Sequence, residues 1–146
     1  MRIAIVAVGK VKQAGLRAEI DEYLKRIRRY ARCDEVELRD GTETDVVTGF
    51  RKALGARVRS VALETGGESW DTKRFAAFMG RCENEGVLTL AWLVGGSYGL
   101  PKQVATSADI RLSLSPLTLP HRLVRLVLAE QIYRGFTILR GEPYSH

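Results

Sequence analysis

Apolar positions along this chain fall into short continuous runs separated by stripes of helical spacing. Arg2–Val8 (RIAIVAV) is rich in Ile and Val and stops at Gly9, the pattern of a buried strand. Leu16, Ile20, Leu24 and Ile27 recur at intervals of four, four and three, which predicts a helix over Leu16–Tyr30. Lys25, Arg26, Arg28 and Arg29 cluster at its C-terminal end, where cations suit the helix dipole. Val36–Arg39 reads as a weak strand, and Asp45 is placed to cap a short helix through Leu54. Val58–Leu63 is a strand that Thr65-Gly66-Gly67 should end. Asp71-Thr72 opens a helix carrying Phe75, Phe78 and Met79 and closed at Gly86.

Val87–Val94 is apolar apart from Thr89, close to the near-continuous run of a strand buried on both faces, and is expected at the centre of a parallel sheet. Gly95-Gly96-Ser97-Tyr98-Gly99 follows it, a short helix starts at Pro101, and Ile110–Leu114 is the last strand. A long apolar helix follows Pro120, a residue suited to helix starts. Strands alternating with helices define the α/β class with a mostly parallel sheet flanked by helices. In such sheets ligands bind outside the carboxyl ends of the strands. That rule singles out three segments: the one after Leu63, Gly95–Gly99, and Ser115–Pro120.

The length of 146 residues suits one domain spanning 1–146. The 45% apolar content supplies a sizeable core, and the 27% charged content is ordinary for a globular protein. The formal net charge of +6 adds an anionic partner, nucleic acid first, to a reading that is otherwise a solvated basic surface. Cys33 and Cys82 form no CxxC pair and no disulfide framework, so they are expected as reduced thiols in the cytoplasm. The N-terminal run is short, is followed by GKVK and shows no cleavage site, so it does not read as a signal peptide. No stretch approaches the roughly 20 apolar residues of a membrane span.

The glycine segment Gly95–Gly99 allows close backbone approach to a ligand. It is neither GxGxxG nor a Walker loop, which argues against a nucleotide-dependent oxidoreductase. Ser115–Pro120 is stiffened by two prolines, and its backbone groups need partners that a ligand can supply. His121 stands at the start of the last helix, while His146 is the final residue; they are the two histidines of the chain. No HExxH pair or Cys/His cluster supports a metal, and no GxSxG elbow supports serine hydrolysis.

The segments VAVGKVK, Tyr23, WDT at Trp70–Thr72, LVGGSYGL at Leu93–Leu100 and LSPLTLPHRLVRLVLAEQIYRGFTI at Leu114–Ile138 together resemble the RlmH (YbeA) family. Its members are small SPOUT-superfamily methyltransferases of bacterial 23S rRNA. The resemblance covers essentially the whole chain and is weakest between Asp40 and Arg59. It implies a C-terminal trefoil knot, a homodimer, and S-adenosylmethionine (S-adenosyl-L-methionine) as methyl donor to N3 of a pseudouridine in the assembled ribosome. It implies cofactor contacts at Leu63, Gly95, Gly96, Ser115, Pro116, Leu117, Thr118, Leu119 and Pro120. The tail Glu142-Pro143-Tyr144-Ser145-His146 departs from the family's His-Pro-Tyr-His: Tyr144 matches, Ser145 replaces a histidine, and His146 comes one place later.

Tyr144 is therefore a candidate catalytic residue. His121 and His146 join it because they are the side chains that titrate near neutrality without perturbation. Lys10, Lys12, Arg17, Arg122, Arg125 and Arg134 are candidates for rRNA phosphates, with Glu130 as an alternative ion-pair partner of Arg125. The apolar residues Leu123, Val124, Leu126, Val127, Leu128, Ile132 and Phe136 exceed one core-facing stripe, which points to a dimer around this helix. A non-catalytic RNA-binding module on the same α/β frame is the competing reading.

Overall fold

Five parallel strands form the centre of the molecule. The structure, a computed structural model, describes residues 1–144. Strands and helices alternate along it: β1 (Arg2–Val8), α1 (Ala14–Ile27), β2 (Cys33–Leu38), α2 (Glu43–Leu54), β3 (Val58–Ser69), α3 (Thr72–Asn84), β4 (Thr89–Val94), α4 (Lys102–Ser107), β5 (Ile110–Ser113) and α5 (His121–Leu139). The order across the sheet is β2-β1-β4-β3-β5, so the most apolar strand is indeed central. In register Ile3 lies beside Cys33 and Leu90, and Ile5 beside Glu35 and Trp92.

Strand alternation divides the core in two. One face carries Ile3, Ile5, Ala7, Val61, Leu90, Trp92 and Leu112 and is covered by α1, α3 and α5. The other carries Ala4, Val6, Val8, Ala91 and Leu93 and packs against Val46 and Phe50 of α2 and Val104 of α4. Trp92 is fully buried, with the Phe75 ring stacked on it at 4.8 Å.

Caps set several helix starts. Thr42, not Asp45, is the N-cap of α2: its hydroxyl accepts from the Asp45 amide, and the Asp45 carboxylate accepts from the Thr42 amide. Asp45 is therefore the return half of a capping box. Asp71 caps α3 by accepting from the Arg74 amide at 2.7 Å.

The expected end of β3 at Leu63 is corrected by the structure. The strand continues to Ser69 through a register shift in which Leu63 and Glu68 both stand opposite Leu112. The intervening residues bulge, and bulges re-aim side chains beside sites. Gly67 is the residue this needs. A Cβ there would lie 2.7 Å from the backbone of Arg111 and Leu112. Gly67 makes room for β5, and the Gly66-Gly67 pair does not terminate β3.

Most of the apolar excess of α5 stays within the chain. Leu128, Ile132 and Phe136 are fully buried, Val124 and Leu126 partly so, and only Leu123 and Val127 of the seven remain exposed. Burial also acts on the cysteines. It raises the Cys33 thiol from 9.0 to about 12 and raises Cys82 against a smaller opposing pull from Arg59. A raised thiol pKa means less thiolate, the reactive form. Neither cysteine should react appreciably with iodoacetamide at pH 8 until the chain is unfolded, as mass spectrometry with and without denaturant will show.

Candidate active site

The carboxyl ends of β3, β4 and β5 open into one cavity of about 680 Å³. Leu63, Glu64 and Thr65 come from the β3 bulge, Val94–Leu100 from the glycine segment, and Ser113–Ser115 and Leu117–Pro120 from the connection to α5. His121, Arg122 and Val124 of the first turns of α5 complete the wall. The three segments singled out from the sequence thus converge, because parallel strands deliver all their carboxyl ends to one edge.

Two of these segments are held tightly. The backbone amide of Gly99 donates to the Gly96 carbonyl at 3.0 Å, closing Gly96–Gly99 into a small hairpin, with Gly99 at φ +77°. At Gly95 a Cβ would overlap the backbone of Gly99 and Leu100. Gly96 is less constrained: there a Cβ would meet the Val8 side chain at 3.3 Å. In the other segment the Ser113 hydroxyl donates to the Ser115 carbonyl at 2.8 Å, and the Leu117 amide donates to the Ser115 hydroxyl at 2.9 Å. Pro120 precedes α5 with φ −55° and ψ 138°.

All the expected cofactor residues except Pro116 line the cavity; Pro116 is exposed and not part of the lining. Glu64, Thr65 and Tyr98 line it too, within the segments singled out from the sequence though not named as contacts, and Leu100 and Val124 line it from outside those segments. His121 is half-buried in the wall. Tyr144 is not there. It folds back on α5, its hydroxyl donating to Glu130 Oε2 at 3.0 Å and its ring lying 4.6 Å from that of Tyr133. The Arg134 guanidinium stands 4.8 Å over the ring. Burial, then hydrogen bonding to Tyr23 and Glu130, raises the Tyr144 phenol above its ordinary range. At a helical rise of 1.5 Å per residue, Glu130 to Arg134 lie roughly 13–20 Å along the axis from His121. His146 lies outside the described residues.

The basic candidates separate by burial. Lys10, Lys12 and Arg122 are exposed. Arg125 is not a surface residue: it is 2% exposed, its guanidinium pairs with Glu35 at 2.8 Å and with Glu37, and it donates to the Gly9 carbonyl at 2.9 Å. Its partners are therefore Glu35 and Glu37 rather than Glu130. Arg17 is drawn into the same cluster, 2.7 Å from Glu35 and from Asp21. Glu130 instead holds Arg134 at 2.8 Å. These pairings take Arg17, Arg125 and Arg134 out of the set of free cations. The signal for the cluster was present in β2, where Glu35 and Glu37 at alternate positions must share a face.

No group of three or more potential metal ligands occurs among the described residues, and none of the described helices is long and apolar enough to cross a membrane.

The sheet order and a cavity built from a glycine hairpin and a proline-bounded loop define an α/β protein with a small-molecule site at the carboxyl edge of its sheet. The family model described as "Predicted SPOUT methyltransferase" matches residues 1–146, and the chain belongs to that family. Among its relatives, "Ribosomal RNA large subunit methyltransferase H" of Sorangium cellulosum is 52% identical, with 100% of both chains covered. The protein of the same name from Geobacter metallireducens is 39% identical over 100% of this chain and 99% of its own. Of solved structures, a putative methylase family protein from Neisseria gonorrhoeae superposes with a TM-score of 0.63 at 12% identity, covering 99% of this chain and 85% of its own. The SpoU methyltransferase AviRb from Streptomyces viridochromogenes gives 0.54 at 14% identity, covering 97% and 61%. At such identities the structures speak for the fold alone.

Proposed function

We propose that this protein methylates N3 of a pseudouridine in 23S rRNA of the assembled ribosome, in the cytoplasm, as a homodimeric single-domain SPOUT enzyme using S-adenosylmethionine. The observation that carries the reading is the cavity at the carboxyl ends of β3, β4 and β5, in a chain alike over its whole length to relatives named for large-subunit rRNA methylation. The trefoil knot belongs to the same proposal.

The cavity's residues fit the donor. About 680 Å³ lies within the range of small-molecule sites. Leu63, Leu114, Leu117 and Leu119 offer apolar walls to an adenine, and the backbone of the hairpin and of Ser115–Pro120 offers polar partners. Glu64 is the carboxylate of the lining, suited to a cationic group. The donor, once bound, supplies a methyl group on a positively charged sulfur. The chain must align the target and accept or direct the imide proton. His121 is in place for that within the same subunit.

Tyr144 lies against α5 outside its own cavity, so in this reading it serves the partner subunit's site. Leu123 and Val127, exposed on α5, fit a twofold contact along the same helix. Lys10, Lys12 and Arg122 then remain as the phosphate contacts.

A labelled-methyl assay on ribosomes lacking the modification tests the activity. His121→Ala and Tyr144→Phe should each lower turnover at least tenfold, about 1.4 kcal/mol of barrier, while calorimetric S-adenosylmethionine affinity stays within twofold. A parent protein that binds the cofactor but labels neither ribosomes nor rRNA would favour the non-catalytic RNA-binding reading. Full turnover in both variants would remove both residues from the chemistry.

A further inference from the structure

Among the described residues Tyr98 is the most exposed large hydrophobic side chain, 102% accessible, at the tip of the Gly96–Gly99 hairpin. It contributes nothing to the core. Single exposed apolar residues need no explanation, but this one stands on the ridge between two cavities. It lines the large one, with Arg122 and the 73% exposed Leu117. It also lines a smaller one of about 300 Å³ on the other side of the hairpin, with Asp40, Glu43 and Lys102. The ridge is stiff. The Gly99 amide closes it on Gly96, and the Gly95 backbone lies too close to Gly99 and Leu100 to admit a Cβ. An exposed aromatic ring carried on a closed hairpin, with a cation nearby, is a group on which unpaired bases of single-stranded nucleic acid stack.

We propose that Tyr98 is a stacking platform for an unpaired nucleobase of the RNA substrate, neighbouring the nucleotide that enters the large cavity. The inference rests on the rRNA reading above and names how that substrate is held. Arg122, on the side of the large cavity, is there to meet a phosphate. Asp40 and Glu43 repel phosphate and accept hydrogen bonds from base amino groups, so a base rather than the backbone faces the smaller cavity. Preorganisation on the closed hairpin keeps the ordering cost low. Because the side chain rests on nothing within the chain, its removal should cost binding without costing stability.

The test compares the parent with Tyr98→Ala, Tyr98→Phe and Tyr98→Trp. Three properties are measured: methyl transfer to ribosomes lacking the modification, co-sedimentation with those ribosomes, and calorimetric S-adenosylmethionine binding. Melting temperature and sedimentation equilibrium are recorded beside them. Stacking predicts that the alanine variant raises KM for ribosomes and weakens co-sedimentation about tenfold, within the range for one lost base stack. Phenylalanine and tryptophan should restore both to within threefold, with cofactor affinity, melting temperature and oligomeric state unchanged. An active parent with an alanine variant of unaltered KM and ribosome affinity overturns the platform and leaves the methyltransferase reading intact. Loss of a parental dimer in the alanine variant also overturns it, making Tyr98 a subunit contact. A parent that neither methylates nor binds ribosomes brings down both proposals.

Discussion

Replacing Arg125 by methionine is expected to destabilise the protein by about 3 kcal/mol, the lower end of the cost of orphaning a buried ion-pair partner. The guanidinium is 2% exposed and meets Glu35, Glu37 and the Gly9 carbonyl. Methionine fills much of the volume and leaves two carboxylates facing a low-dielectric space. Arg17 stays beside Glu35 at 2.7 Å, and Glu37 still accepts from the Val11 amide, which is why the lower end applies. In a chain of this size the melting temperature should fall by about 6–12 °C. Adding Glu35→Gln and Glu37→Gln to the same variant should recover part of the loss, since the uncompensated charges are then gone. A methionine variant within 1 kcal/mol of the parent in denaturant titrations would show that the cluster carries little net stability.

Gly95→Ala is the second large effect. The added Cβ would coincide with the Gly99 and Leu100 backbone, so the hairpin must open or shift. Since Val94–Leu100 lines a continuous stretch of the large cavity, S-adenosylmethionine affinity should fall at least tenfold, about 1.4 kcal/mol. Gly96→Ala should be milder, because its Cβ would press on the Val8 side chain at 3.3 Å, a group able to give way. Calorimetry on both variants decides it. Equal affinities in the two would mean that hairpin closure is not what shapes the cofactor wall.

Much of the architecture is legible in the chain because burial leaves a period. The run Val87–Val94 announces a strand covered on both faces, and β4 is central. Leu16, Ile20, Leu24 and Ile27 announce a helix with one buried face, and Ile20, Leu24 and Ile27 are buried. The converging segments at Leu63, Gly95–Gly99 and Ser115–Pro120 were readable for a related reason. Parallel strands send their carboxyl ends to one edge, and glycine and proline mark where the chain turns there.

Other features have no local signature. The bulge of β3 depends on where β5 lies, so Thr65-Gly66-Gly67 looks like an ending when read alone and is a detour when Leu112 is beside it. Arg125 looks like a surface cation on an apolar helix; only the packing of α5 over β1 and β2 brings Glu35, Glu37 and the Gly9 carbonyl to it. Tyr144 follows His121 along a single helix and tail, yet the helix length itself holds the two apart. Residue type and spacing specify elements because each residue's exposure repeats with the local backbone period. Partners across the sheet, the depth of a charge and the reach of a tail are set by contacts between residues far apart in sequence, and these exist only once the chain has packed.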